Sequence, residues 1–450
     1  MAQQTDPRIL GTEPIGKLLL QYSIPAIIGM TITSLYNIID SIFIGHGVGP
    51  MAISGLAITF PLMNLVVAFC VLISAGGATI SSIRLGQKDI KGATDVLGNT
   101  LMLCLTNAVL FGGLAYLFLD PILFFFGAST GTLPYARDFM QVILLGTPIT
   151  YTMIGLNNVM RATGYPKKAM LTSMVTVVAN IILAPIFIFH FEWGMRGAAT
   201  ATVISQFAAA CWTLRFLAGK KATIRLDKNY LKLKTDRVKK ILVLGLSGFT
   251  MSVTNSLVQM VCNINLAMYG GDMYIAAMTI INSVREVIHM PVSGVGNGAQ
   301  PVMSFNYGAK EYGRVKQTIR YTAVILLVYT LFAWGMTMLF PNQFVMIFNK
   351  DAELLPLTVK SMHIYFFGFF FMAFQFTGQT TFQALGKSKQ AIFFSMLRKV
   401  IIVVPLTFLL PVIPEIGVTG VFLAEPISNL IGGLACFITM YVTVYRKLEV

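Results

Sequence analysis

Asp40 stands in the stretch TITSLYNIIDSIFIG, where apolar residues run on both sides of it. A charge in the hydrocarbon layer costs at least ~2.5–3.5 kcal/mol on insertion scales, so such a residue faces a cavity or a partner. A carboxylate there can bind and release a proton or a metal cation. Gly29, Thr33, Tyr36, Asn37 and Asp40 recur at helical spacing and form one polar face. That face is expected to line a cavity. Asn157, then Ser173, Thr176 and Asn180, then Thr200 and Thr202 supply candidates for the opposite wall. For the Asn and Thr residues, hydrogen-bonding glue between helices is the competing reading.

The second half of the chain has different chemistry. Asn282, Glu286, His289 and Ser293 share a helical face with Arg285 beside them, and Glu425 precedes Pro426 in AEPISN. We expect Arg285 and Glu286 to act as a charge-balanced unit, with Glu425 as the alternative partner. A structural salt bridge competes with a transport role for this group. Gln375, Gln379 and Gln383 stack at i, i+4 spacing, and Ser252, Asn255, Ser256, Gln259 and Asn263 lie upstream, all neutral. Thr33, Gln259, Gln375 and Gln379 are taken as candidates for the substrate cavity. The cavity charges read here, Asp40, Glu286 and Glu425 against Arg285, are mainly acidic and favour a cationic substrate.

Other chemistries have no seat. Cys70, Cys104, Cys211, Cys262 and Cys436 are far apart inside apolar stretches, and His46, His190, His289 and His363 are scattered singly, so no disulfide framework or metal spacing is indicated. SAGGA and SGVGNGA lack the lysine of a phosphate-binding loop, which leaves ATP hydrolysis unsupported. No cofactor is expected, and the energy source is read as a proton or sodium gradient. The 25 methionines suit apolar surfaces that adapt to varied substrates, although most are expected to be core or lipid-facing.

The elements that must position these residues are membrane helices. The 450 residues are 56% hydrophobic and 11% charged, where a soluble domain carries roughly 25% charged residues. Apolar windows near 16–44, 51–83, 94–118, 137–160, 169–190, 197–217, 240–268, 274–305, 317–340, 354–383, 391–412 and 418–445 predict an all-α polytopic protein of twelve transmembrane helices. Pro25, Pro61, Pro148, Pro185, Pro291, Pro405 and Pro426 fall inside them and predict kinks, which packed membrane helices tolerate.

The net charge of +15 is distributed by side rather than at random. With the N-terminus inside, inner loops carry Arg84, Lys88, Lys91, Arg161, Lys167, Lys168, Lys310, Arg314, Lys316, Arg320, Lys387 and Lys389, and the tail adds Arg446 and Lys447. The run from Arg215 to Lys240 alone holds ten basic residues, whereas the outer loops show Arg137, Arg196 and Lys350. This follows the positive-inside rule and places both termini in the cytoplasm of a plasma-membrane protein. It also removes the need for a nucleic-acid partner; the basic run is expected to be a solvated linker facing lipid headgroups. The polar segment Met1–Lys17 has no apolar core of the signal-peptide type and is expected to stay in the cytoplasm, uncleaved.

One offset superposes Gly49 on Gly271, Ile58 on Ile280, Gly76 on Gly298, Gly86 on Gly308, Lys88 on Lys310, and Ala162 and Gly164 on Ala384 and Gly386. A one-residue slip then places Gly194 and Gly197 on Gly417 and Gly420. We therefore read two pseudo-symmetric six-helix bundles: a first lobe over 1–214, a basic cytoplasmic linker over 215–240 and a second lobe over 241–450. An even number of spans per half gives both halves the same orientation, with the substrate site between or within them.

YNIIDSIFIG, NNVMRATGYPK, NIILAPIFIF with WGMRGAATATVISQ, and GNGAQPVMSFNYGAK together resemble the multidrug and toxic compound extrusion (MATE) transporters. The likeness covers nearly the whole chain and is similar to the MepA-like bacterial group of the DinF-related branch. It implies a V-shaped fold of two six-helix lobes and export of drug-like, often cationic, compounds against proton or sodium entry. It also implies a first-lobe coupling site at Asp40, with Tyr36, Asn37, Asn157, Asn180 and Thr202 as neighbours. Relatives often carry an acid in the fifth span where this chain has Ala184, and the acids of another branch's second-lobe sodium site are absent from the seventh and tenth spans. The resemblance further implies small organic substrates, a bacterial inner membrane and a monomer. A lipid-linked saccharide flippase of the same superfamily is the nearest rival reading, with a more basic cavity. A membrane-embedded enzyme is the remote one, since no His/Asp/Cys constellation is present.

Overall fold

A computed structural model describes residues 9–348 and 352–449 and, among them, the backbone is helix and connecting turn with no strand. Ten helices are long and apolar enough to cross a membrane, and an eleventh crossing is a bent pair. In chain order the spans are the first (Ile15–Gly47), second (Pro50–Gly86), third (Ile90–Leu117), fifth (Pro166–His190), sixth (Gly194–Ala218) and seventh (Thr235–Tyr269). The ninth (Tyr312–Leu339), tenth (Leu354–Ala384), eleventh (Ser388–Val412) and twelfth (Thr419–Lys447) follow. The fourth is the bent pair, Leu133–Leu145 and Thr147–Ala162, which turn by 58° at Gly146. The eighth helix, Asp272–Gly308, has 37 residues but is not among those that pass on apolarity, because its inner face is polar. Length and the repeat identify it as the twelfth crossing.

The prolines act where the sequence places them. Pro25, Pro61, Pro291, Pro301 and Pro426 lie within continuous helices, where neighbouring helices re-satisfy the freed carbonyls. Pro148 and Pro405 open new helical segments after breaks. Two spans end or continue in π-helical turns, Ile186–His190 and Leu397–Val403.

The chain divides into two compact units. Unit 1 comprises 1–13, 28–249 and 304–310, and unit 2 comprises 14–27, 250–303 and 311–450. The first and eighth helices thus each give one part to each unit, and the basic run 215–240 belongs wholly to unit 1. In unit 1 the second and seventh spans approach backbone to backbone: a Cβ on Gly245 would lie 1.5 Å from the Leu72 carbonyl oxygen, and one on Gly76 would lie 1.9 Å from that of Ile241. Small residues at such crossings replace the hydrophobic drive that lipid does not supply. Tyr151 donates to the Val66 carbonyl at 2.8 Å and ties the fourth span to the second. In unit 2 the first and eighth helices meet in the same manner, Ser23 against Gly298 and Ile27 against Gly294. Large apolar side chains such as Leu117, Phe125, Leu339 and Ile347 are more than 70% exposed, which is the pattern of a lipid-facing belt rather than of a soluble surface.

The basic run is partly docked rather than freely solvated. Asp95, 3% exposed on the third span, accepts from Lys234 Nζ at 3.0 Å and from Arg237 Nε at 3.1 Å. The Lys234 backbone N–H donates to Asn99 Oδ1 at 2.8 Å. At the other end, the Tyr165 hydroxyl accepts from the Thr223 N–H at 3.0 Å. Eight of the run's nine described cations are nevertheless exposed, so the expectation of a solvated linker holds for residues such as Lys220, Lys221 and Lys239 and fails for the half-buried Arg237. The outer arginines are paired as well, Arg137 with Asp120 and Arg196 with Asp138, while Lys350 lies outside the described residues. Between the second and third spans, Asp89 caps the third helix by accepting from the Gly92 N–H at 2.8 Å and pairs with Arg84 at 2.7 Å. The Gly92 N–H, with Arg84, holds its carboxyl below the usual carboxylate range.

Candidate functional site

In unit 1, polar side chains of the first, fifth and sixth spans converge. Thr202 is the hub: its Oγ1 accepts from Asn180 Nδ2 at 3.1 Å, lies 3.1 Å from the Tyr36 hydroxyl and is 3.2 Å from the Ala198 carbonyl. A hydroxyl has one proton and two lone pairs. The Ala198 carbonyl can only accept, so it takes the Thr202 proton; Tyr36 and Asn180 then fill both lone pairs. The phenolic proton of Tyr36 is therefore committed to Thr202. In this triad Asn180 and Thr202 are 1% and 6% exposed, and Tyr36 is half-buried.

Asp40 lies one helical turn beyond Tyr36 on the same face, and the two interact electrostatically. The carboxylate is 7% exposed and its Oδ1 is buried without a hydrogen-bond partner. No ion pair to Asp40 is present among the described residues, and Ala184 is fully buried. Asn157 Oδ1 is also buried and unpartnered, and makes no bond to the triad. The Asn37 side chain lies outside the described residues. Thr33, Thr176 and Thr200 donate to carbonyls of their own helices, at Gly29, Thr172 and Arg196, so they are turned inward along the backbone. Unit 1 thus brings Tyr36, Asn180 and Thr202 together beside an acid with an open acceptor. Such an oxygen is a seat for a proton or a small cation.

Unit 2 is built differently. Glu425 Oε1 accepts from Arg398 Nη1 at 3.2 Å and from Lys399 Nζ at 3.1 Å, and its Oε2 accepts from Lys399 at 3.3 Å. Arg398 also donates to Asn429 Oδ1. Glu425, Arg398 and Lys399 are 5%, 6% and 3% exposed, so one carboxylate serves two buried cations. The π-helical stretch Leu397–Val403 carries both cations in succession; such turns are rare and concentrate at functional sites. Glu286 is exposed and forms no ion pair with Arg285; the partner of Glu425 is the Arg398–Lys399 pair. His289 bonds Ser293 at 3.0 Å and sits edge-on to Phe376.

Two cavities adjoin this cluster. The larger, of about 400 Å³, is bounded by Asn255, Gln259, Asn282, Arg285, Tyr365 and Lys399 together with Glu425 and apolar residues. The smaller, of about 280 Å³, is bounded by Asn255, Gln375, Gln379, Arg398 and Lys399. Gln375 and Gln379 are buried with unpartnered Oε1 atoms, and Gln379 donates to the Ala391 carbonyl at 2.9 Å. Of the four residues read as substrate-facing, Gln259, Gln375 and Gln379 line these cavities and Thr33 lines neither. The expectation of mainly acidic cavity charge is corrected here: the walls carry Arg285, Arg398 and Lys399 against Glu425 alone. The physical reason is that Arg398 and Lys399 continue the basic inner loop in sequence, yet their helix carries them into the interior.

The family model MatE matches residues 25–186 and again 249–409. The chain belongs to the MatE family. The double match is the internal repeat seen in the glycine punctuation. Among curated relatives, multidrug export protein MepA of Staphylococcus haemolyticus is 28% identical over 433 residues, covering 95% of this chain and 93% of that protein. The protein of the same name in a bovine Staphylococcus aureus strain is 27% identical over 437 residues, covering 95% and 94%. An outward-facing multidrug-resistance MATE transporter of the MOP superfamily superposes with a TM-score of 0.92 at 22% identity over 99% of this chain and 98% of that one. A second MATE structure, in a bent conformation, gives 0.93 at 21% identity over 99% and 98%. Those likenesses establish the fold. Within the MatE matches fall Asp40 and, in the second, Arg285, Arg398 and Lys399. Sequence reasoning passed over Arg398, Lys399 and Asp95. The signal was present for each: a basic pair well inside an apolar window, and an acid one turn before Asn99.

Proposed function

We propose that this MatE protein is a secondary active exporter of small organic compounds, driven by proton or sodium entry through Asp40. The observation that carries the reading is the buried, unpartnered carboxylate oxygen of Asp40 beside Tyr36, whose phenolic proton is committed to Thr202. An acid in that position exchanges a cation for a different occupant as its surroundings change, which is the elementary act of antiport. The relatives named as multidrug export proteins supply the direction and the breadth of substrate. The protein works as a monomer in the bacterial inner membrane, with both termini in the cytoplasm, and binds no cofactor beyond the coupling ion. A proton entering down 100 mV provides about 2.3 kcal/mol, enough for a gradient of nearly fiftyfold in a neutral solute.

The test is dye efflux from proteoliposomes with proton and sodium gradients imposed separately. Export that follows one gradient and needs no nucleotide supports the reading; a chemically altered product would move the protein to the enzymes. The flippase reading has one observation in its favour, the surplus of basic groups in unit 2. Export of a water-soluble dye without any lipid-linked saccharide in the vesicle disposes of it.

A further inference from the structure

The charge balance of the unit 2 cavities is incomplete. Arg398 and Lys399 share the single carboxylate of Glu425, and both of its oxygens are occupied. Arg285 opens onto the same cavity as Lys399 and Glu425, yet it forms no ion pair with any described carboxylate, and its Nε is buried without an acceptor. Three cations, the buried Arg398 and Lys399 and the half-buried Arg285, thus line walls that carry one acid. An anion between Arg285 and Lys399 offsets part of that surplus. The rest of the wall fits an organic anion: Asn255, Gln259, Asn282 and Tyr365 offer neutral hydrogen bonds, and Val258, Met278, Val403 and Val421 offer an apolar side. A guanidinium with a free Nε edge is the group suited to a bidentate carboxylate, and an ammonium completes the seat as a point charge.

We propose that the cavity of unit 2 is a subsite for the carboxylate of an organic substrate, received between Arg285 and Lys399, so that the compounds this protein handles best carry a negative group. This rests on the exporter reading and narrows its small organic compounds to zwitterions and organic acids. It assigns Arg285 a binding role and leaves Glu425, with Arg398, as the framework that holds Lys399 in place.

The experiment compares two probes that differ by one group, a rhodamine with a free carboxylate and its methyl ester, binding to the purified full chain in lipid nanodiscs. Wild-type protein binds the acid about tenfold more tightly than the ester. Arg285→Gln removes that preference by weakening the acid alone, and Arg285→Lys restores part of it. Equal binding of acid and ester by wild-type protein overturns the proposal, as does an Arg285→Gln protein that loses both probes equally while Arg285→Lys retains both. Should Arg285→Gln fail to fold, the comparison on wild-type protein decides alone. Replacing chloride by gluconate separates the two sources of anion. Tighter acid binding without chloride supports the substrate carboxylate as the occupant; ester binding that collapses without chloride makes chloride the resident anion and overturns it. Binding is read without a gradient, so failed transport with intact acid preference would count against the exporter reading and not against the subsite.

Discussion

The two units solve the same problem, a charge inside a membrane, in opposite ways. Unit 1 holds one buried acid without an ion-pair partner, Asp40, beside a Tyr36 whose phenolic proton is committed to Thr202. Unit 2 holds an acid that is doubly paired, with a further cation left over. The first arrangement suits a positive ion and the second a negative group, as proposed above. A repeat that began as two similar bundles has thus come to carry charges of opposite sign. On the readings proposed above, coupling belongs to the lone acid and substrate discrimination to the basic cavity.

The largest test of this contrast is at Asp40. Asp40→Asn keeps the shape and removes the exchangeable charge, so gradient-driven efflux falls to the level of empty vesicles while the amount of folded protein in the membrane stays near wild type. Wild-type coupling at equal expression would shift attention to unit 2. Next in size is Glu425→Gln, which leaves Arg398 and Lys399 buried without a carboxylate. Breaking one partner out of a buried ion pair costs about 3–5 kcal/mol, so this protein is recovered in much lower yield and melts earlier in detergent. Adding Lys399→Met to Glu425→Gln returns part of the loss, because the surplus charge is reduced. If the double variant is as unstable as the sum of the singles, the pair is uncoupled.

The same contrast explains how much could be read from the residues. The helices were legible because long apolar windows and a charge asymmetry leave few alternatives, and Asp40 was legible because an isolated acid on a polar stripe has no bland explanation. The 58° bend at Gly146 was not legible, since apolarity runs straight through it. Arg398 and Lys399 stand inside the apolar window 391–412, but whether they turn to lipid, to a headgroup or to an acid on another helix depends on how their helix enters the bundle, which the sequence does not give. Glu286 errs in the other direction. Its place on a polar stripe says nothing about which way that stripe turns, and the side chain faces outward.

Asp95 sharpens the comparison from within unit 1. It is as buried as Asp40 but fully paired, with Lys234, Arg237 and the neighbouring Asn99. A paired acid of this kind should matter to architecture and not to coupling. Asp95→Asn releases the basic run from the third span at a cost of about 1.5–3 kcal/mol. Protease then cuts more readily between Lys220 and Lys240, while the dependence of efflux on the gradient is unchanged. A change in that dependence would mean that unit 1 has two coupling acids rather than one.

The smallest effect, and the most specific, is expected at Thr202. Valine has the shape of threonine without the hydroxyl, so Thr202→Val removes the acceptor that holds both the Tyr36 phenol and the Asn180 amide. Tyr36 lies one turn from Asp40 on the same helical face, and its freed proton can now be donated to the open carboxylate oxygen. A hydrogen bond to a charged carboxylate contributes about 1.5–3 kcal/mol net, and this one competes directly with the entering cation. The concentration of driving ion needed for half-maximal efflux therefore rises about tenfold or more, with maximal efflux little changed. Adding Tyr36→Phe removes the competing donor, so the double variant should return towards wild type even though it lacks two hydroxyls instead of one. If Tyr36→Phe instead worsens Thr202→Val, the triad only packs the helices together, and the openness of Asp40 does not depend on where the phenolic proton points.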